Sequence, residues 1–225
     1  MKPFFAPHGS RFTGHCFGRA ALPSRLIPGF TAAVLVILLA SCGSTRPSKY
    51  YTLELPSVSP AAALAHPVSL LVGKISTPHV YRDDRIIYRS GESQLGMYES
   101  HRWAEPPAEM IEAILTRALR GSGRYRTVQP MRSNARGGFI LRGRLQELSE
   151  VSGSALSARL VVEFELYDQA AGVTVWNQFY SHDEPVTGKE VSEVVAALNR
   201  NIQRAVAQAA AGIDQYFTKN PPKSE

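Results

Sequence analysis

Two cysteines occur in the 225-residue chain, Cys16 and Cys42, and only the second has neighbours that constrain its chemistry. It ends the stretch "LLASC", residues 38 to 42, at the close of the one long apolar run. A thiol there can be a redox group, a metal ligand, half of a disulfide or a point of attachment. The other reactive residues are dispersed. His66, His79, His101 and His182 share no metal-ligand spacing, and the "HDE" run at His182, Asp183 and Glu184 places three consecutive side chains at a strand end, where they do not converge on one ion. No nucleophile elbow, phosphate loop or dinucleotide fingerprint occurs. The glycine-rich "GSGRYR" from Gly121 follows a helix pattern instead of opening one, and reads as a helix C-cap. No catalytic residue, metal ligand or cofactor is therefore assigned.

The sequence before Cys42 has the three parts of an export signal: basic residues through Arg25, an apolar core "FTAAVLVILLA" over residues 30 to 40, and small residues at its end. An apolar core of about 11 residues is too short to span a bilayer, which takes roughly 20. Leu39, Ala40, Ser41 and Cys42 look like a bacterial lipobox, in which the thiol receives a diacylglyceryl group before cleavage makes the cysteine the new N-terminus. Cys16 would leave with the signal, so Cys42 would be alone, which excludes an internal disulfide and a cysteine-built metal site. Two or more acyl chains give stable anchoring where one gives marginal binding. Gly43 stands where an aspartate tends to mark inner-membrane retention in such lipoproteins, and by that resemblance the outer membrane, facing the periplasm, is expected.

The formal charge of +6 suggests a polyanion partner until its distribution is seen. Lys2, Arg11, Arg19 and Arg25 supply four of those charges within residues 1 to 41, which hold no acid, leaving 21 basic and 19 acidic side chains in the remainder. Nucleic-acid binding gains no support. An internal asymmetry persists: arginines crowd the segment from Arg117 to Arg144, and acids dominate from Leu145 to Glu193. Cross-strand pairing is expected to occupy Arg142 and Arg144. Arg120, Arg124, Arg126, Arg132 and Arg136 are left as candidates for contact with a membrane or partner. Tyr88, Met97 and Trp103, in "RIIYRSGESQLGMYESHRW", are either the core of an ordinary hairpin or the apolar surface of an exposed one used for assembly or acyl-chain contact.

The elements that must position these residues follow from periodicity. Residues 42 to 49 read as a tether, "YYTLEL" as a first strand, 56 to 67 as a proline-rich loop and 68 to 76 as a buried strand. Two short strands about a Ser90 and Gly91 turn occupy residues 85 to 100, and Pro106 and Pro107 open a helix expected over 107 to 120. "RYRTVQP" is a short strand. The segment "GFILRGRLQELSEVSGSALSARLVVEFELYD" predicts a hairpin with a two-residue Gly153 and Ser154 turn, which sets Leu145 opposite Val162, Leu141 opposite Leu166 and Gly143 opposite Phe164 on one face. Arg144 then faces Glu163 and Arg142 faces Glu165 on the other. A further strand is expected over 173 to 181. A long C-terminal helix follows, opened by a Thr187 and Glu190 capping box, striped by Val191, Val194, Val195, Leu198, Ile202, Val206, Ala209 and Ile213, and ending near Phe217 before a disordered tail from residue 218. The predicted fold is α/β, with α+β as its alternative: a mixed sheet rich in antiparallel hairpins, with a middle helix and a long C-terminal helix packed on it.

A lipobox, "YYTLELP" shortly after it, and "RIIYRSGESQLGMYESHRWAEPPAEMIEAILTRAL" together resemble the auxiliary lipoproteins of ABC transport systems, including the paraquat-inducible Pqi-type lipoprotein. The resemblance spans residues 50 to 217 and rests most on Tyr51 with Leu53, Ile87 with Tyr88, Tyr98, and Trp103 with Pro106 and the following helix. These positions carry pattern and no catalytic role. The resemblance implies a non-enzymatic part of a phospholipid-trafficking machine whose partners are an MCE-domain protein, a permease and an ATPase, with phospholipid contact and a homo-oligomeric ring among its expected associations. Two other classes share the anchor: a lipoprotein chaperone or scaffold for an outer-membrane β-barrel, and a periplasmic hydrolase whose nucleophile and base meet only on folding.

Overall fold

The structure is a computed structural model and describes residues 47–55, 63–91, 93–132, 134 and 136–222. The export signal, Leu39, Ala40, Ser41, Cys42 and the first part of the tether lie outside the described residues. The strands are β1 (Lys49–Tyr51), β2 (His66–Ser76), β3 (Arg85–Ser90), β4 (Leu95–Trp103), β5 (Tyr125–Pro130), β6 (Phe139–Ser152), β7 (Leu156–Asp168) and β8 (Val173–Pro185). The helices are α1 (Pro107–Gly121) and α2 (Val191–Lys219), with a short 3-10 turn at His79–Tyr81.

Strand β6 organises the sheet. Along one edge it pairs antiparallel with β7, which pairs antiparallel with β8. Its other edge is shared, because β2 runs parallel to the Phe139 end and β3 runs parallel to the Ser152 end. Beyond β2 lies β5, parallel; beyond β3 lies β4, antiparallel, and then β1, parallel to β4. The result is an eight-stranded mixed sheet with two helices, an α/β fold. Helix α1 packs on β2 and β5, α2 packs on β7 and β8, and the helices touch each other.

The predicted β6–β7 register is present pair for pair: Leu145 faces Val162, Gly143 faces Phe164, Leu141 faces Leu166, Arg144 faces Glu163 and Arg142 faces Glu165. The turn that produces it differs from the expectation. Ser152 pairs with Leu156, so the connection has three residues, and Gly153 is not among the glycines with left-handed φ. The extra residue is compensated by a bulge at Gln146, where the pairing steps from Leu145–Val162 to Glu147–Val161. On β7 the core face runs without interruption through Ala158, Leu160, Val162, Phe164 and Leu166, while β6 steps from Leu145 to Leu148 to stay on it. The charge pairs exist in register only. Neither arginine forms an ion pair among the described residues, and the Arg142 guanidinium stacks 4.3 Å from the centre of the Tyr167 ring.

Helix α1 buries Met110, Ile111, Ile114, Leu115 and Leu119, and Gly123, with φ of 64°, lets the chain leave its end. Every residue of the predicted α2 stripe is buried, with Phe217 added at its end. The capping box does not form. Glu190 occupies the N-cap itself in an extended conformation without a side-chain cap bond, which leaves Thr187 outside the helix. Helix α2 also runs on to Lys219, so Thr218 and Lys219 are helical, and β8 extends four residues past its predicted end to Pro185.

Candidate functional site

A groove of about 1280 Å³ runs along α1. One wall is the helix face opposite its apolar stripe, carrying Glu109, Glu112, Ala113, Thr116, Arg117 and Arg120. The other is built from the ends of β2 (Lys74, Ile75, Ser76, then Thr77) and β5 (Pro130, then Met131 and Arg132), with Tyr81 and Arg82 beside them. Leu55 closes one side. The four residues 52 to 55 reach it by strapping across α2: Leu53 is buried, the Glu54 amide donates to Asn199 Oδ1 at 3.1 Å, and Gln203 Nε2 donates to the Glu54 carbonyl at 2.5 Å. Within the groove, burial pushes the Glu112 carboxyl above its ordinary range, and the Lys74 charge works against that rise.

The five candidate arginines separate. Arg120 and Arg132 line the groove, and Arg120 Nε and Nη2 donate to the Val128 carbonyl at 3.2 and 2.9 Å. Arg126 is exposed beside a smaller cavity of about 380 Å³ on β5, and Arg136 is exposed in the β5–β6 connection. Arg124 is structural. Its Nε lies 2.5 Å from Asp214 Oδ1, which also contacts His66 Nε2 at 2.7 Å, tying α2 to the beginnings of β2 and β5.

The hairpin residues also part company. Trp103 is 1% exposed and belongs to the core, so it is no surface contact. Tyr88 is half-buried with its ring edge-on to Tyr98 at 5.2 Å. Met97 is exposed, as is Leu95 on the same strand, and these two form the apolar edge of the β3–β4 hairpin.

In the "HDE" run Asp183 points away from its two neighbours, as strand alternation requires, while His182 Nε2 lies 3.5 Å from Glu184 Oε2. Asp183 accepts two bonds from Arg159 at 2.7 Å, and Arg159 holds its carboxyl below the ordinary range. Glu184 faces α2, accepting from Arg200 at 3.1 Å and Arg204 at 2.8 Å. Among the described residues no group of three His, Cys, Asp or Glu side chains is placed to hold a metal, and no serine hydroxyl is hydrogen-bonded to a histidine. Sequence reasoning missed Lys74, Thr77, Arg82 and Thr116 as groove residues. The spacing of Glu109, Glu112, Thr116, Arg117 and Arg120 along one helix face was a readable signal for one wall; the opposite wall comes from separate strands that only folding brings together.

A two-layer α/β domain with an open groove at its strand ends and an apolar hairpin edge is a scaffold on which several functions are possible. The chain belongs to the ABC-type transport auxiliary lipoprotein components, whose family model matches residues 51–210. Among solved structures it is similar to protein XCC0632 from Xanthomonas campestris, of the DUF330 family, with a TM-score of 0.69 and 20% identity over 77% of this chain and 98% of that one. It is also similar to the crystal structure of an uncharacterized protein, with a TM-score of 0.60 and 16% identity over 75% of this chain and 99% of that one. At these identities the likeness is one of fold. No curated protein matches the chain. No helix among the described residues is long and apolar enough to cross a membrane.

Proposed function

We propose that the protein is a non-enzymatic, lipid-anchored component of an MCE/ABC-type intermembrane phospholipid transport system. Cys42, given a diacylglyceryl group on its thiol before cleavage behind Ser41, holds the domain at the periplasmic face of the outer membrane, where it docks a periplasm-spanning MCE-domain partner. The observation that carries this reading is the family match over residues 51–210 directly behind a lipobox-like segment. The exposed Leu95 and Met97 edge supplies an apolar surface for the partner or for a second copy in a ring. Strand β4 there is bordered on its outer side only by the three-residue β1 among the described residues, so part of its backbone is open to strand addition. ATP hydrolysis falls to another subunit, since the sequence has no phosphate loop.

Co-purification of the native lipoprotein with an MCE-domain protein is the expected result, with Met97→Glu weakening the association. Recovery of the protein as a free monomer, together with an unaltered membrane lipid composition on deletion, would overturn the reading.

A further inference from the structure

We infer that the groove along α1 is a binding site for an anionic, acyl-bearing lipid, with the headgroup held by the arginines of its walls and the chain laid along its apolar surface. The inference rests on the lipid-transport reading for the source of the ligand, and on the groove itself for the chemistry.

The groove lies outside the carboxyl ends of parallel strands β2 and β5, the place where open α/β sheets take their ligands. Two of its lining residues, from different elements, carry hydroxyls without a partner. Thr116 Oγ1 on α1 and Thr77 Oγ1 after β2 are both shielded from solvent and have no hydrogen-bond partner, and Thr116 is only 7% exposed. Burying a hydroxyl unpaired is unfavourable, but a position closed to water is closed to a ligand oxygen as well, so either hydroxyl serves a ligand only once its side chain turns towards the groove.

Charge and apolar surface point the same way. Lys74, Arg82, Arg117, Arg120 and Arg132 line the groove against Glu109 and Glu112, an excess of positive charge. Arg120 is bonded to the neutral Val128 carbonyl, while Arg82 and Arg132 have no carboxylate partner among the described residues. Arginine is suited to phosphate and carboxylate because its planar donors bond two oxygens at once. Two of the exposed large apolar side chains, Leu55 and Met131, each 51% exposed, stand at this same groove, which Ile75 and Ala113 also line. An acyl chain would cover them. The volume of about 1280 Å³ exceeds the roughly 300–1,000 Å³ of ordinary small-molecule pockets.

The test uses the full-length lipoprotein reconstituted into vesicles of phosphatidylethanolamine and phosphatidylglycerol, with a trace of ³²P-labelled phosphatidylglycerol. A photo-reactive benzoylphenylalanine replaces Ala113 in the groove or, as control, Phe179 on the exposed outer face of β8. Illumination is expected to label the protein at residue 113 well above residue 179. Joint replacement Arg82→Glu and Arg132→Glu should lower that label about fivefold or more, through loss of charge-assisted headgroup bonds. Equal labelling at 113 and 179, a label indifferent to the arginine pair, cross-linking to protein alone, or full competition by inorganic phosphate would each overturn the inference. Co-purification with an MCE-domain protein is read separately: its failure with the label intact would remove the transport reading and leave the lipid site, and the reverse outcome would remove the site alone.

Discussion

Asn201 Oδ1 accepts a hydrogen bond from the Tyr180 hydroxyl at 2.6 Å in the core of the domain. The same amide's Nδ2 donates to the carbonyls of Ala158 and His182 at 3.0 and 2.9 Å, so one side chain of α2 ties the helix to both β7 and β8. Asn201 is fully buried, and a polar residue in the middle of an apolar stripe specifies how the helix sits as well as how strongly. Asn201→Leu is expected to cost about 2–5 kcal/mol, because it orphans two carbonyls and a phenol at once. Tyr180→Phe, which leaves Oδ1 unpaired and removes the phenol's contact with Arg204, should cost about 1–3 kcal/mol. Urea denaturation of both variants checks the order; equal, small losses would show that the network is dispensable.

Buried tyrosines give the fold an alkaline limit. Burial, then the hydrogen bond to Glu150, pushes the Tyr98 phenol far above its ordinary value; burial, then the Asp214 charge, does the same for Tyr125, and burial chiefly raises Tyr81 and Tyr180. The folded state therefore keeps protons that the unfolded chain surrenders from about pH 10. Bound protons are then more numerous in the native state, so the stability they contribute is whole below that pH and is lost as pH climbs towards the folded values. The urea midpoint should fall between about pH 8 and about pH 11, and Tyr98→Phe should flatten the decline. A flat profile in the parent protein would contradict the assignment.

What the sequence made legible was local or periodic. The inner pairs of the β6–β7 hairpin, the apolar stripes of both helices and the Gly91 turn all follow from spacing that a single segment carries. The bulge at Gln146 was hidden because it compensates a longer turn, so that two departures cancel and the inner register reads as though neither existed. Trp103 was ambiguous because an aromatic at a strand end suits core and surface equally; the long-range contact of its amide with the Asp84 carbonyl at 2.6 Å helps settle its place. The groove was least legible, since its walls come from α1, β2, β5 and the strap, and no periodicity links them.

Gly96 illustrates a glycine required by its neighbour. The Tyr88 ring lies across it from the paired strand, and a Cβ at residue 96 would collide with that ring. Gly96→Ala should swing Tyr88 away from Tyr98 and cost about 0.5–1.5 kcal/mol, the worth of an edge-on aromatic pair. In a Tyr88→Ala background the same change should cost nothing. A double-mutant cycle with near-ultraviolet circular dichroism measures this; an equal cost in both backgrounds would place the strain elsewhere.

Cys42 is the residue to which the proposed anchoring assigns a covalent event. Cys42→Ala should leave the urea midpoint of the folded domain unchanged, because the first strand among the described residues begins at Lys49. It should also release the protein from membranes or leave the precursor uncleaved. Fractionation and mass spectrometry decide the matter, and correctly cleaved protein retained at the membrane would sink the lipidation argument.

Acid should weaken the fold through Glu184 and Asp183, and the packing of α2 through Glu184 alone. Burial alone would raise the Glu184 carboxyl, but hydrogen bonds and charge from Arg204 and Arg200 outweigh it and hold the group below its ordinary range; Asp183 is lowered first by its hydrogen bonds from Arg159. Both carboxylates are depressed in the folded state, so their contribution is whole above the unfolded values of about 4 and disappears as pH falls through the lower folded values. Glu184 faces α2 and Asp183 faces the open side of the sheet, so the two losses are separable. Glu184→Gln should reduce the acid slope and loosen α2, seen as faster amide exchange near Arg200. Asp183→Asn should reduce the slope and leave that exchange unchanged, and identical exchange in the two variants would refute the assignment of Glu184 to the helix contact.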